Sequence, residues 1–255
     1  MRRVRIAALA AVLGALAATP AAAQEPETAA YARQNWSFAG LFGTFDRAAA
    51  QRGYQVYSEI CANCHSIKEA YYRDLVGIGL SQEQIVATAA SVTVPTIGDD
   101  GQPSERPALP SDHFRSPFPN EAAARTAMNG AFPPDLSVIE KAREGGADYI
   151  YALLTGYSDP PAGMKMGENL NYNKYFPGNQ IAMLQPLHDG QVSYADGTPA
   201  SVGQMAKDVV TFLSYISNPE MEARKRMGVK IVLFLVMLTG LTYAVKRKVW
   251  AGVEH

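Results

Sequence analysis

The two cysteines of the chain fall in a single string, Cys61-Ala62-Asn63-Cys64-His65. Two thiols three residues apart fit three chemistries: a redox dithiol, half of a metal site, or attachment of haem through two thioethers. The histidine directly after the second cysteine selects the third. Thiols on one turn of chain can each add to a haem vinyl group, and the next residue then lies where its imidazole Nε2 meets the iron. A structural zinc site needs further Cys or well-spaced His, and His113, His188 and His255 do not supply that spacing. A thioredoxin-type dithiol needs a preceding strand. Here Phe45, Ala48, Ala49, Tyr54 and Tyr57 fall near a 3.6-residue period, so the approach to the motif is helical. The string predicts one covalent haem c on Cys61 and Cys64, with His65 as the fifth ligand.

A sixth ligand decides what such a haem does. A Met thioether raises the potential and suits an electron carrier, whereas an open position suits ligand chemistry. Met227 and Met237 belong to a long apolar run, and Met205 and Met128 read as helical packing. Met164 and Met166 in PPAGMKMGENL and Met183 in YFPGNQIAMLQP remain, with His188 as a rival. Spacing alone does not choose between them.

The elements that position these residues are predominantly helical. Helices are expected at about 45–63, 121–129 and 136–154, with Gly145-Gly146 a weak point in the third. Another is expected from Ser201, whose Ser-x-x-Gln204 pattern reads as a capping box, to Ser217, with an interruption at Asn218-Pro219. No alternating β pattern extends over more than a few residues. Six prolines between Val92 and Asn120 exclude a helix or central strand there and predict a long surface loop. The expected fold class is mostly α: a c-type cytochrome head with long loops, plus one C-terminal transmembrane helix.

Two segments stand outside that head. Residues 1–23 read as a cleaved export signal: Arg2, Arg3 and Arg5, an apolar run from Ile6 to Ala18, then Ala21-Ala22-Ala23. Residues 227–245 form a run of 19 residues with one charge, Lys230. At 1.5 Å per residue the run measures about 28 Å, close to the bilayer's hydrocarbon thickness. Arg224-Lys225-Arg226 and Lys246-Arg247-Lys248 bracket it. The expected plan is a periplasmic haem domain over 24–226, a single membrane anchor over 227–245 and a cytoplasmic tail over 246–255, in a bacterial inner membrane.

This division changes the meaning of the charge. The whole chain has 255 residues, 47% of them apolar, and a net charge of −1, which excludes a disordered chain and gives no support to nucleic-acid binding. Residues 24–223, however, hold 13 basic and 23 acidic residues, a balance of −10, while residues 224–255 carry +6. An acidic head attracts a cation-rich partner and speeds encounter without tight binding. Asp99, Asp100, Glu105, Asp159 and Glu168 are candidate docking acids.

Longer strings extend the reading. RGYQVYSEICANCHS (52–66), NGAFPPDLS (129–137), AREGGADYIYALLTGY (142–157), YFPGNQIAM (175–183), DGTPASVGQMAKDVVTFL (196–213) and PEMEARKRMGVK (219–230) occur in this order. Together they resemble the cytochrome c1 family, the haem-bearing subunits of ubiquinol–cytochrome c oxidoreductase (cytochrome bc1) complexes. The resemblance implies Met183 as the sixth ligand and assigns Arg143 and Tyr149 to the haem propionates. It implies a one-electron relay from a Rieske iron–sulfur subunit to a soluble basic c-type cytochrome, beside a cytochrome b. The chain is then an electron-transfer subunit of an oxidoreductase, with no catalysis on quinone by itself. Some bacterial members carry an extra Cys pair; this chain has none, leaving Pro177, Gly178 and Pro186 to stiffen the ligand loop. The alternative is a free-standing, membrane-anchored cytochrome c carrier.

Overall fold

A computed structural model describes residues 29–252. The expected export signal, residues 1–23, and His255 lie outside the described residues. The first helix, α1 (Arg47–Glu59), is capped by Asp46, whose carboxylate accepts the Ala49 N–H at 3.0 Å. Its buried face is Ala49, Ala50, Gly53, Val56 and Tyr57. The sequence reading placed Ala48 on this face. Ala48 is exposed, and Gly53 and Val56 complete the stripe instead.

The partner of α1 is α5 (Val202–Ser217), and the two make the core. In chain order between them come α2 (Gln82–Ala90), α3 (Glu121–Ala127) and α4 (Gly146–Thr155). From Met205 to Tyr215 every α5 residue except Lys207 is buried, so α5 is a central helix rather than a one-faced one. Tyr54 and Tyr57 of α1 pack on Phe212 of α5 with ring centroids 5.5 and 5.7 Å away. Gly53 permits this approach, since a Cβ there would lie 2.0 Å from the Asp208 carbonyl oxygen. Fully burying large apolar side chains such as Phe212 stabilises by about 1.5–3 kcal/mol each. The same interface holds a buried ion pair: Arg52 donates to both carboxylate oxygens of Asp208 at 3.0 Å, and no part of the Asp208 side chain is exposed.

Three expectations change. Residues 136–145 are turns, and only Gly146–Thr155 is helical. Gly145 and Gly146 have φ of +83° and +53°, which a continuous right-handed helix cannot pass through. The Pro-rich stretch contains an antiparallel hairpin, β1 (Thr93–Ile97) and β2 (Pro103–Pro107), in which Pro95 faces Glu105 and Pro107 faces Thr93. A two-stranded ribbon consists of edges only, so prolines cost it no interior ladder bond. At the start of α5, the Ser201 hydroxyl accepts the Gln204 N–H at 3.3 Å, but the Gln204 amide turns to Asp208 instead of closing a box. The reciprocal box is at α2, between Ser81 and Gln84.

The interruption at Asn218-Pro219 falls where expected, and α6 (Met221–Val249) follows it. This helix is long and apolar enough to cross a membrane, and its most apolar 18-residue window has no buried residue. A second short pair, β3 (Asn171–Tyr172) with β4 (Gln180–Ile181), lies between α4 and α5. The fold is mostly α, with long loops, as expected.

Candidate functional site

Helix α1 ends at Ile60 and tightens into a single 3-10 turn, Cys61–Asn63. The carbonyl of Cys61 accepts the N–H of Cys64 at 3.1 Å and that of His65 at 2.9 Å. Both thiols and the imidazole therefore leave one compact turn rooted in the core helix. Burial pushes the Cys61 thiol up to about 12 and raises Cys64 as well. A dithiol oxidoreductase needs a thiolate stabilised at neutral pH, and this turn does the opposite.

His65 is held by a segment that sequence reasoning left unassigned. Its Nδ1 lies 2.7 Å from the Pro134 carbonyl oxygen, which accepts a hydrogen bond from the Nδ1–H and leaves the lone pair on Nε2. Burial lowers the His65 pKa, outweighing the Pro134 bond and the Asp135 charge, so the ring is favoured neutral. A neutral imidazole with Nε2 free is the form that ligates a metal. The adjacent Asp135 carboxylate accepts from the Ser66 hydroxyl (2.6 Å), the Lys68 N–H (3.0 Å) and the Ser137 N–H (2.9 Å). The Leu136 N–H donates to the Ser66 carbonyl at 2.8 Å. Burial pushes the Asp135 carboxyl up, but these donors prevail and hold it below the usual carboxylate range. The two prolines and the acid of Pro133-Pro134-Asp135 are the local signal for a stiff segment carrying an acceptor, but nothing in the sequence points to its partner 69 residues upstream.

Met183 is fixed differently. Its carbonyl accepts from the Tyr157 hydroxyl at 3.1 Å and from the Asn171 amide at 3.4 Å. Tyr157 follows α4 and bridges to Asn173, whose buried amide donates to the Leu153 carbonyl at 2.8 Å. Burial raises the Tyr157 pKa, keeping its hydroxyl a donor. Among the rivals, Met164 closes a turn onto the Pro161 carbonyl, and Met166 lines a recess of about 420 Å³ with Tyr157 and Leu170. Cys61, Cys64 and His65 do not line this recess. His188 is exposed.

Arg143 and Tyr149 are brought close together across the Gly145-Gly146 bend. Burial raises the Tyr149 pKa while the Arg143 charge lowers it. Arg143 is exposed and donates to the neighbouring Ala142 carbonyl at 3.0 Å, with no acid paired to it among the described residues. A cation and a phenol in this arrangement suit a carboxylate. The five candidate docking acids separate into two places. Asp99, Asp100 and Glu105 lie on the β1–β2 hairpin, and Asp159 and Glu168 lie on the loop leading from α4 towards Met183.

The donor set fits a haem. It offers two thiols on one turn, a neutral imidazole with one nitrogen free, a thioether on a doubly bonded backbone, and an unpaired cation beside a phenol. Phe132 and Leu184, next to the two ligand segments in the chain, stay 48% and 73% exposed, as apolar walls awaiting a flat apolar group would. No group of three or more His, Cys, Asp or Glu side chains able to hold a metal ion occurs among the described residues.

A helical head with a haem-compatible turn on its core helix, joined to an exposed apolar helix, defines the class of protein. Residues 36–253 match the Cytochrome C1 family, and the chain belongs to that family. It is 49% identical over 222 residues to "Cytochrome c1-2, heme protein, mitochondrial" of Solanum tuberosum, covering 86% of this chain and 85% of the relative. It is 50% identical over 221 residues to "Cytochrome c1, heme protein, mitochondrial" of Saccharomyces cerevisiae, covering 86% and 72%. A bacterial relative, "Cytochrome b/c1" of Bradyrhizobium diazoefficiens, is 47% identical over 239 residues, covering 85% of this chain and 35% of its own.

Proposed function

We propose that this chain is the haem-bearing electron-transfer subunit of a quinol–cytochrome c oxidoreductase. It accepts one electron at a time from a Rieske iron–sulfur subunit and passes it to a soluble, basic c-type cytochrome. The observation that carries this reading is the half-buried His65 ring, favoured neutral and bonded through Nδ1 to Pro134, on the same turn as two thiols. When bound, a haem c supplies a one-electron iron couple. Cys61 and Cys64 would hold it as thioethers, His65 and Met183 would ligate its iron, and Arg143 and Tyr149 would meet its propionates. The residues' own work is to keep the imidazole deprotonated at Nε2, to fix the thioether, and to exclude water from the ligand side.

The proposed plan is a cleaved signal (1–23), a periplasmic head (24–226), a single span (227–245) and a cytoplasmic tail (246–255) in a bacterial inner membrane. The relatives' names place them in b–c1 assemblies, which supports a cytochrome b partner here. The join between head and helix supports a complex-bound subunit over a tethered free carrier. Only Asn218–Glu220 separate α5 from α6, and the Glu222 carboxylate accepts from the Phe45 N–H at 2.8 Å and from Arg47 at 2.9 Å.

Denaturing the purified protein tests the cofactor: haem stays with the polypeptide in this reading and is extracted if attachment is not covalent. Carbon monoxide binding to the reduced protein at neutral pH would instead favour an exchangeable sixth ligand. Co-purification with a cytochrome b and an iron–sulfur protein is expected, and isolation alone would favour the free carrier. Reduction of the soluble cytochrome should slow steeply as salt rises through the range where screening sets in. A rate flat across ionic strength would remove the acidic surface from the account.

A further inference from the structure

Residues 37–45 form a loop that is clamped at its base and apolar at its tip. The Thr44 N–H donates to the Ser37 carbonyl at 3.1 Å, and the Lys225 ammonium of α6 donates to the carbonyls of Phe38 (2.7 Å) and Gly43 (3.1 Å). Below the clamp, Trp36, Phe38 and Phe45 are buried in the core. Above it, Leu41 is 61% and Phe42 80% exposed. A loop fixed this firmly could have turned two large apolar side chains inward, at a gain of about 1.5–3 kcal/mol each. It presents them instead beside the first turns of α6, where the apolar run begins.

The bracketing basic cluster is not used evenly. Lys225 is spent on the clamp, and Arg224 donates to Asn218 Oδ1 at 2.9 Å. Arg226 is exposed and has no hydrogen-bond or ion-pair partner among the described residues, and the same holds for Lys230, one turn further on. Both cations line one recess of about 310 Å³ together with Leu41, Phe42, Val229 and Lys225, and with Glu222, whose carboxylate is already taken by the Phe45 N–H and Arg47. The recess thus joins an apolar wall, continuous with the exposed face of α6, to two unneutralised cations.

We infer that this recess seats an anionic phospholipid of the leaflet nearest the head. Arg226 and Lys230 take the phosphodiester, and Leu41 and Phe42 enter the upper acyl region. Charge complementarity and continuity with the apolar helix both favour a lipid over a second protein chain, which would have to bury two unpaired cations. The site rests on the reading of α6 as a membrane span. It makes the loop a second membrane contact that fixes the tilt of the head.

Two measurements on the full chain in its native complex test this. With Cys61 and Cys64 occupied, Phe42→Cys or Phe234→Cys gives this chain a single free thiol for a nitroxide, and after subtraction of the signal from the labelled parent complex its collision with oxygen or a water-soluble nickel chelate reports depth. In vesicles of phosphatidylglycerol and phosphatidylcholine, the label at 42 should favour oxygen, less than the label at 234. A label at 42 open to nickel, with 234 protected, overturns the inference and leaves the span intact. A label at 42 closed to both reagents means that a protein chain covers the loop, which also overturns it. Nickel access at 234 overturns the span itself. In native mass spectra, the phosphatidylglycerol retained over phosphatidylcholine should fall about fivefold for each of Arg226→Gln and Lys230→Gln. An unchanged ratio in the double variant overturns the headgroup assignment.

Discussion

The His65 side of the site is bonded to the apolar core of the head, through α1 and the Pro134–Ser137 segment. The Met183 side hangs from a tyrosine hydroxyl and two side-chain amides at the ends of α4 and β3. On the first side a buried helix interface does the holding, and the Asp135 carboxylate, next to the ring's acceptor Pro134, accepts from three donors. On the second, the ligand candidate's carbonyl is caught by Tyr157 and Asn171, and the loop around it rests on buried Asn173. The difference separates two tasks. The Cys61–His65 turn continues directly from the core helix, so the fold of the head sets its position. The opposite ligand must only be presented, so polar clasps on a loop are enough.

Substitutions at four positions probe that contrast, and the largest effect belongs to the proposed ligand, Met183. Met183→Leu should lower the midpoint potential by hundreds of millivolts, on the scale over which axial ligands tune haem, with the thioethers intact. Redox titration reads this, and an unchanged potential would move the ligand to Met164, Met166 or His188. Arg52→Met comes next: it leaves the fully buried Asp208 carboxylate uncompensated and should cost about 3–5 kcal/mol in denaturant unfolding. The unfolding cost should be accompanied by little change in potential in the folded fraction. A loss below 1 kcal/mol would mean that the α1–α5 interface does not carry the His65 side.

Asp135→Ala follows, at about 2–3 kcal/mol, since three donors lose a charged acceptor. Asp135→Asn should restore part of it. The pH dependence has a definite sign. The folded Asp135 carboxyl sits below its unfolded value near 4, so its stabilisation is present above that value and is lost as pH falls through the lower folded one. The acid-unfolding profile of Asp135→Ala should therefore be flatter below pH ~4 than that of the parent chain, and identical profiles would remove the carboxylate from the account. The smallest effect is Tyr157→Phe. Asn171 still holds the Met183 carbonyl, so about 1 kcal/mol, a few tens of millivolts, is expected. A fall as large as that of Met183→Leu would show that the two donors do not share the carbonyl.

Chemistry was more legible than architecture in this chain. Cys61, Cys64 and His65 are adjacent in sequence, so one local string specifies which atoms leave one turn. The helical approach was legible too, although Ala48 was placed on the wrong side, because an alanine's small area says little about which face it lies on. The apparent helix from Leu136 failed at Gly145-Gly146, where positive φ angles end what apolar spacing alone would continue. The Pro-rich stretch yielded a hairpin because a ribbon made only of edges tolerates residues that a sheet interior rejects. Pro134 and Asp135 escaped notice because their bonds to the His65 turn span almost seventy residues, and no local pattern encodes such a pairing.

By itself the sequence determined the string that forms the Cys61–His65 turn, the helical class, the apolar C-terminal segment and an acidic balance over 24–223 hidden under a near-neutral total. These are properties of short windows or of composition, where neighbours in the chain are neighbours in space. Tertiary structure alone decided which tautomer His65 adopts, which side chains hold the Met183 carbonyl, and which of the basic residues in the first turns of α6 already have partners. Each of those depends on a hydrogen-bond partner from a distant element, and only packing of the whole head brings such partners within three ångströms or so.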